Sequence, residues 1–148
     1  MKALEPKLPR RLVLASMLVY PFGCSKDAPP PAIPPKIDVL LLQVRTLESV
    51  NQGRSVRMLV RRVKPKQFAT EKYAALVAFA EHPDDSVLAD QLLRPRSSVN
   101  LRLPLEPGSD VGVYFMFLHP EGESWKVLLP GDSGEVTIEV QRDLAYLL

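Results

Sequence analysis

Val111-Gly112-Val113-Tyr114-Phe115-Met116-Phe117-Leu118 is apolar on both faces, with Val113, Phe115 and Phe117 alternating against Tyr114, Met116 and Leu118. Eight residues rich in β-branched and aromatic side chains have the length of a strand, and apolar residues on both sides mean that both faces are covered. A strand of this kind belongs inside a layered fold. Downstream, His119-Pro120-Glu121-Gly122 reads as a turn and Trp125–Leu129 as the return strand. Val136-Thr137-Ile138-Glu139-Val140 forms a last alternating strand. Upstream, Val99–Leu103 alternates before the turn residues Pro107-Gly108.

Nearer the N-terminus, Ile37-Asp38-Val39-Leu40-Leu41-Leu42-Gln43-Val44 is β-branched and apolar. In Ser55-Val56-Arg57-Met58-Leu59-Val60-Arg61, the residues Val56, Met58 and Val60 share one face, and Arg57 and Arg61 the other. Val50-Asn51-Gln52-Gly53-Arg54 joins the two runs, and its Asn and Gly tolerate positive φ. The period then changes. Tyr73, Leu76, Val77 and Ala80 fall at i, i+3, i+4 and i+7, which predicts a helix over Phe68–Ala80, with Pro83 just beyond it. Asp84-Asp85-Ser86 offers caps for a second short helix over Val87–Leu93, stopped by Pro95. Short, regularly spaced strands interrupted once by helical pattern predict a mainly β two-sheet sandwich with a small inserted helical segment around 68–94.

Residues 1–23 have the layout of a secretory signal peptide. Lys2, Lys7, Arg10 and Arg11 precede the apolar run Leu12–Tyr20, which closes with Pro21-Phe22-Gly23. That run is about half the roughly 20 residues a membrane-spanning helix needs. Cys24, the single cysteine of the chain, follows at once. A thiol so placed is expected to be acylated and to become the first residue of a lipoprotein. Pro21 and Phe22 stand where such signals usually carry Leu and a small residue, so an uncleaved start or an ordinary signal peptide with a free Cys24 remains the alternative. Residues 24–36 then form the lipidated cysteine and a tether. The run Pro29-Pro30-Pro31 and the pair Pro34-Pro35 favour extended polyproline backbone, with a reach on the order of 35 Å. Residues 37–148 form one domain, long enough for its own core.

The export segment also explains the basicity of the chain. Of its 19 basic and 17 acidic residues, four basic and one acidic (Glu5) lie in residues 1–23, so residues 24–148 carry a net charge of −1. Nucleic acid is therefore not an expected partner. The remaining charge is uneven. Residues 36–66 hold eight basic and two acidic side chains, and residues 67–148 six basic and thirteen acidic. Arg57 and Arg61 are a candidate basic docking face for an acidic partner; a simply solvated strand face explains the pattern as well, and attraction to anionic headgroups is a third reading, weakened by the spacer.

Catalytic chemistry is hard to assemble from these residues. His82 and His119 stand beside prolines in predicted turns, no Gly-x-Ser-x-Gly or phosphate-binding loop occurs, and Asp84-Asp85 is explained by capping. Trp125 reads as a core or sheet-face aromatic. We expect no enzyme activity, no metal, no cofactor beyond the covalent lipid on Cys24, and no small-molecule substrate.

Taken together, these elements resemble the type VI secretion system outer-membrane lipoprotein, the TssJ/VasD family. The resemblance rests on Cys24, the proline tether, Val50-Asn51-Gln52-x-Arg54-Ser55-Val56 leading into a strand, and Phe68 ahead of Tyr73-x-x-Leu76. Gly112-Val113 running through Phe117 to Trp125-Lys126 completes it. It implies a transthyretin-like sandwich, lipid-anchored in the outer membrane and facing the periplasm, with Ser25 suiting outer-membrane sorting. It further implies a scaffold role, in which the protein binds the periplasmic part of an IcmF-like inner-membrane protein (TssM). The loop joining the first two strands, here Leu47–Arg54 with Val50, Asn51, Gln52, Gly53 and Arg54, would contribute to that contact. The stretch between Arg94 and Val111 is shorter than the family pattern. The alternative function is a periplasm-facing lipoprotein of similar fold that serves another envelope assembly or binds the cell wall.

Overall fold

The computed structural model describes residues 38–148; the expected signal peptide, Cys24 and the tether lie outside the described residues. Eight strands form two four-stranded sheets. The first, in the order β4-β1-β7-β8, contains β1 (Asp38–Thr46), β4 (Ser98–Leu105), β7 (Glu135–Gln141) and β8 (Leu144–Leu147). The second, in the order β3-β2-β5-β6, contains β2 (Val56–Val63), β3 (Val87–Leu93), β5 (Asp110–Met116) and β6 (Lys126–Leu129). Neighbours are antiparallel except β1 and β7, which run parallel.

The core lies between the sheets and follows from alternation. Leu40, Leu42 and Val44 of β1 are buried, as are Ile138 and Val140 of β7. They meet Val56, Met58 and Val60 of β2 and Val111, Val113 and Phe115 of β5. The sandwich with a helical insertion is thus the fold the sequence predicts.

Beneath the insertion the second sheet is buried on its outer face too. Arg57, Leu59 and Arg61 are cross-strand neighbours of Met116, Tyr114 and Gly112, and Leu59, Arg61 and Tyr114 are at most 2% exposed. This is the two-sided burial expected of Val111–Leu118, except that the strand ends at Met116 and Leu118, beyond it, is exposed. The covering segment is not one helix over Phe68–Ala80. It divides into α1 (Pro65–Thr70), opened by Pro65 in its first turn, and α2 (Ala75–Glu81). Glu71 ends α1 with extended backbone (ψ 133°), and its carboxylate accepts bonds from buried Arg61, at 3.0 Å, and from the Tyr114 hydroxyl. A buried cation needs a partner, and that requirement overrides the helical period at this point. Leu76 and Ala80 of the expected stripe are buried, Tyr73 is half-buried and Val77 is exposed.

Val87–Leu93 is not a second helix but the edge strand β3, paired along β2 with a register shift at Val60/Arg61, so the helical insertion stops at Glu81 rather than near 94. Asp84 accordingly caps a turn rather than a helix: one of its carboxylate oxygens accepts the Ser86 amide, at 2.9 Å, and the Ser86 hydroxyl. The Ser86 carbonyl then accepts the Arg62 amide at 2.8 Å, directly ahead of the strand. β8 was not expected either; it returns along β7 after the two-residue turn Arg142-Asp143.

Gly112 is required by its neighbour. A Cβ there would lie 2.5 Å from the Tyr114 hydroxyl oxygen, because the tyrosine ring lies back along the strand on its way to Glu71.

Candidate docking surface

The strand directions place the β1–β2, β3–β4, β5–β6 and β7–β8 connections at one end of the sandwich. Asp38, where the described chain begins, lies at the other end. The nine residues of β1 separate the two by roughly 30 Å at about 3.3 Å per residue.

The β1–β2 loop contains a 3₁₀ turn, Val50–Gly53, and its residues divide into two groups. Val50 is fully buried and Asn51 nearly so, whereas Gln52, Gly53 and Arg54 are exposed. Asn51 ties three connections together. Its amide nitrogen donates to the Ser55 carbonyl at 2.7 Å, and its side-chain oxygen accepts the Leu118 amide of the β5–β6 connection at 2.8 Å. Its backbone amide donates to the Arg142 carbonyl of the β7–β8 turn at 2.5 Å. The loop needs left-handed backbone to do this, with φ of 46° at Asn51, 60° at Gln52 and 77° at Gly53. Of the five loop residues singled out in the sequence, two therefore shape the loop and three are presented on it. An open depression of about 430 Å³ lies beside them, lined by Glu48, Ser49, Gln52, Gly53, Arg142 and Asp143.

The candidate basic face of Arg57 and Arg61 is corrected by the structure. Arg61 is 2% exposed, bonded to Glu71 and Ser86, with its guanidinium 3.3 Å from the centroid of the Phe79 ring. Arg57 reaches both the Asp90 carboxylate and the Ala80 carbonyl, and that pairing holds the Asp90 carboxyl below the usual range. The alternating arginines thus fasten the insertion and the edge strand to β2. Lys126 belongs to the same buried cluster. Its ammonium donates to the carbonyls of Phe68 and Glu71, at 3.0 and 3.1 Å, and lies near the rings of Phe68 and Trp125. Trp125 is 2% exposed and meets Tyr73 edge-on, with 5.3 Å between centroids, so it is a core residue. Burial, with the bond to Glu71, pushes the Tyr114 hydroxyl far above its ordinary pKa.

Sequence reasoning missed Arg96 and Arg142, which stand at the same end as the β1–β2 loop with φ of 54° and 41°. Nothing in the linear pattern marks them, because their connections are too short to read as loops.

His82 and His119 are both exposed, His82 at the C-cap of α2 and His119 in the β5–β6 connection. Among the described residues no group of three His, Cys, Asp or Glu side chains could hold a metal ion, and no helix is long and apolar enough to cross a membrane.

No curated protein matches the sequence. Among solved structures, a chain of one described as "T6SS protein TssM C-terminal domain (869-1107) from EAEC" aligns with a TM-score of 0.65 and 28% identity. The alignment covers 76% of this chain and 98% of that one. A chain of a "Type VI membrane complex" aligns with a TM-score of 0.64 and 27% identity, over 76% and 99% of the two chains. The type VI lipoprotein TssJ1 from Pseudomonas aeruginosa has the same fold, with a TM-score of 0.62 at 14% identity over 76% and 96%. The model of the family described as IglE, N-terminal domain, matches residues 57–140, from β2 through to β7. More than half of the sequence fits that family and the sandwich is that of the type VI lipoproteins: the chain belongs to the IglE N-terminal domain family.

Proposed function

We propose that this chain is a non-enzymatic scaffold lipoprotein of a type VI secretion membrane complex. It is anchored in the outer membrane through acylated Cys24 and docks the periplasmic part of a TssM-type inner-membrane protein. The observation that carries this reading is the placement of the β1–β2 loop. The chain enters the domain at Asp38, at one end of the sandwich, and presents Gln52, Gly53 and Arg54 at the other. A domain tethered through residues 24–37 therefore has its loop end free to face away from its anchor. One of the structural matches supports the same partner. The aligned 76% of this 148-residue chain fills 98% of the matched chain, which makes that chain far too short to be the TssM segment 869–1107 itself. The matched chain is then a companion of that segment in one structure, and this chain resembles the companion.

Asn51 gives the loop its shape and Gln52 and Arg54 make the contact. Affinity capture with tagged residues 25–148 from membrane extract of the native cell, read by mass spectrometry, tests the partner. Enrichment of a TssM-type protein, lost on replacing Gln52 and Arg54 by Ala, is the expected result. Capture of other envelope proteins, with the TssM-type protein present in the extract but not enriched, would detach the lipoprotein from secretion.

A further inference from the structure

Among the described residues, four non-glycine residues adopt positive φ: Asn51, Gln52, Arg96 and Arg142. All four lie in the β1–β2, β3–β4 and β7–β8 connections, at the docking end. Left-handed backbone is disfavoured for any residue with a Cβ, and glycine is the relaxed choice in such turns. Asn51 uses its side chain to join the loops, so its presence is accounted for. The two arginines are not accounted for in this way. The Arg142 side chain makes no hydrogen bond or ion pair among the described residues. Arg96 makes only a pair with Glu48 in which both side chains stay more than 70% exposed, and such pairs contribute little. The fold gains nothing from arginine at these turns, and strained residues with outward-facing side chains are characteristic of binding loops.

The geometry points to an arginine clamp, in which Arg54, Arg96 and Arg142 receive carboxylates on an acidic surface of the docking partner. The inference rests on the docking proposed above and names the chemistry that the partner must present. Guanidinium groups take carboxylates in two parallel hydrogen bonds, a geometry that an ammonium group cannot offer. Leu47 in the β1–β2 connection and Leu118 in the β5–β6 connection at the same end are 38% and 48% exposed and supply apolar contact beside the charges. Asn51 holds the backbones of Arg54 and Arg142, and the Thr46 hydroxyl oxygen, bonded to the Arg94 carbonyl and the Ser97 amide, holds the Arg96 turn, so less entropy is lost on docking. The acidic occupant is a protein rather than an anionic membrane because the chain enters the domain at the opposite end.

The test is the association rate of the full-length protein in detergent with the periplasmic domain of the TssM-type protein from the same organism, at about 50 and about 300 mM NaCl. Wild type should associate roughly tenfold or more slowly at the higher salt. The double variant Arg96→Gly/Arg142→Gly should keep or raise the melting temperature, because glycine relaxes both turns. It should nevertheless associate roughly tenfold more slowly at low salt and lose most of the salt dependence. Lysine at both positions should restore most of the low-salt association rate, which needs only charge, but leave dissociation several-fold faster than wild type because ammonium groups cannot make the paired bonds. Lys64→Glu/Lys66→Glu at the far end should leave the association rate unchanged. A glycine variant that associates at the wild-type rate with the wild-type salt dependence overturns the clamp and leaves the docking reading standing. Wild type that does not bind at either salt overturns the docking reading and the clamp with it. Binding to phosphatidylglycerol vesicles that the glycine variant loses, with unchanged association to the protein domain, assigns the arginines to lipid and likewise overturns the clamp.

Discussion

Val39 and Leu41, on the outer face of the β4-β1-β7-β8 sheet, are 37% and 43% exposed, whereas Leu59 and Tyr114 on the outer face of the other sheet are fully buried. β1 and β2 both put a leucine on the outer face, Leu41 and Leu59, yet one sheet is open to solvent and the other lies beneath α1, α2 and the Glu71 link. An alternating polar residue therefore means different things on the two sheets. Arg45 on β1 is exposed as its pattern suggests, while Arg61 on β2 anchors the insertion from below. Strand sequence records its own period but not what the rest of the chain lays over it.

The comparison is broken most severely at Glu71. Replacing it by Ala strands Arg61 as an uncompensated buried cation and removes the acceptor of the Tyr114 hydroxyl, which should cost about 3–5 kcal/mol in urea denaturation. The paired change Arg61→Met/Glu71→Leu should recover much of that loss, since apolar residues of similar volume replace a buried ion pair at little cost. A loss below about 1 kcal/mol in Glu71→Ala would show that the cluster is not what holds the insertion down.

A second contrast isolates burial alone. Leu59→Ala, beneath the insertion, should cost about 2–5 kcal/mol, while Leu41→Ala on the bare sheet should stay within about 0.5 kcal/mol. Equal losses would mean that the insertion does not cover its sheet in solution. Asn51→Ala, which removes two buried side-chain hydrogen bonds, should cost about 1–3 kcal/mol. By contrast, Gln52→Ala should leave the denaturation midpoint unchanged, which separates the residue that shapes the loop from one that it presents.

The smallest effect is alkaline. Burial raises the Tyr114 and Tyr73 hydroxyls above their ordinary pKa, so the folded state holds these protons more tightly than the unfolded chain. Their contribution is complete below the unfolded value of about 10 and declines as the pH rises past it, because the unfolded chain ionises first. Denaturation midpoints should be flat from about pH 6 to 9 and fall above about 10, less so in Tyr114→Phe. A profile flat through about pH 11 would place both rings in water.

Much of this could be read in the sequence where a local rule decided the outcome. β2 and β5 were legible because alternation and two-sided apolarity are strong signals, and the β1–β2 loop because Asn51 and Gly53 mark positive φ. Val87–Leu93 was misread because Val-Leu-Ala-Asp-Gln-Leu-Leu keeps neither period, and the acids before it cap a turn as readily as a helix. Its strand character comes from pairing with β2 and from the bond between Asp90 and Arg57, both distant in sequence. The docking end was legible only in part for the same reason. Gln52 and Arg54 lie in a loop that announces itself, but Arg96 and Arg142 join them only once three connections converge.

In the proposed docking, the loop end, and not the end where the chain enters, meets the TssM-type protein. Photo-crosslinking in living cells, with the reactive residue placed at Gln52 in one strain and at exposed Glu106 in another, tests it directly. A crosslink to the TssM-type protein is expected from position 52 and none from position 106. A crosslink from position 106 alone, or equal crosslinks from both, would contradict it.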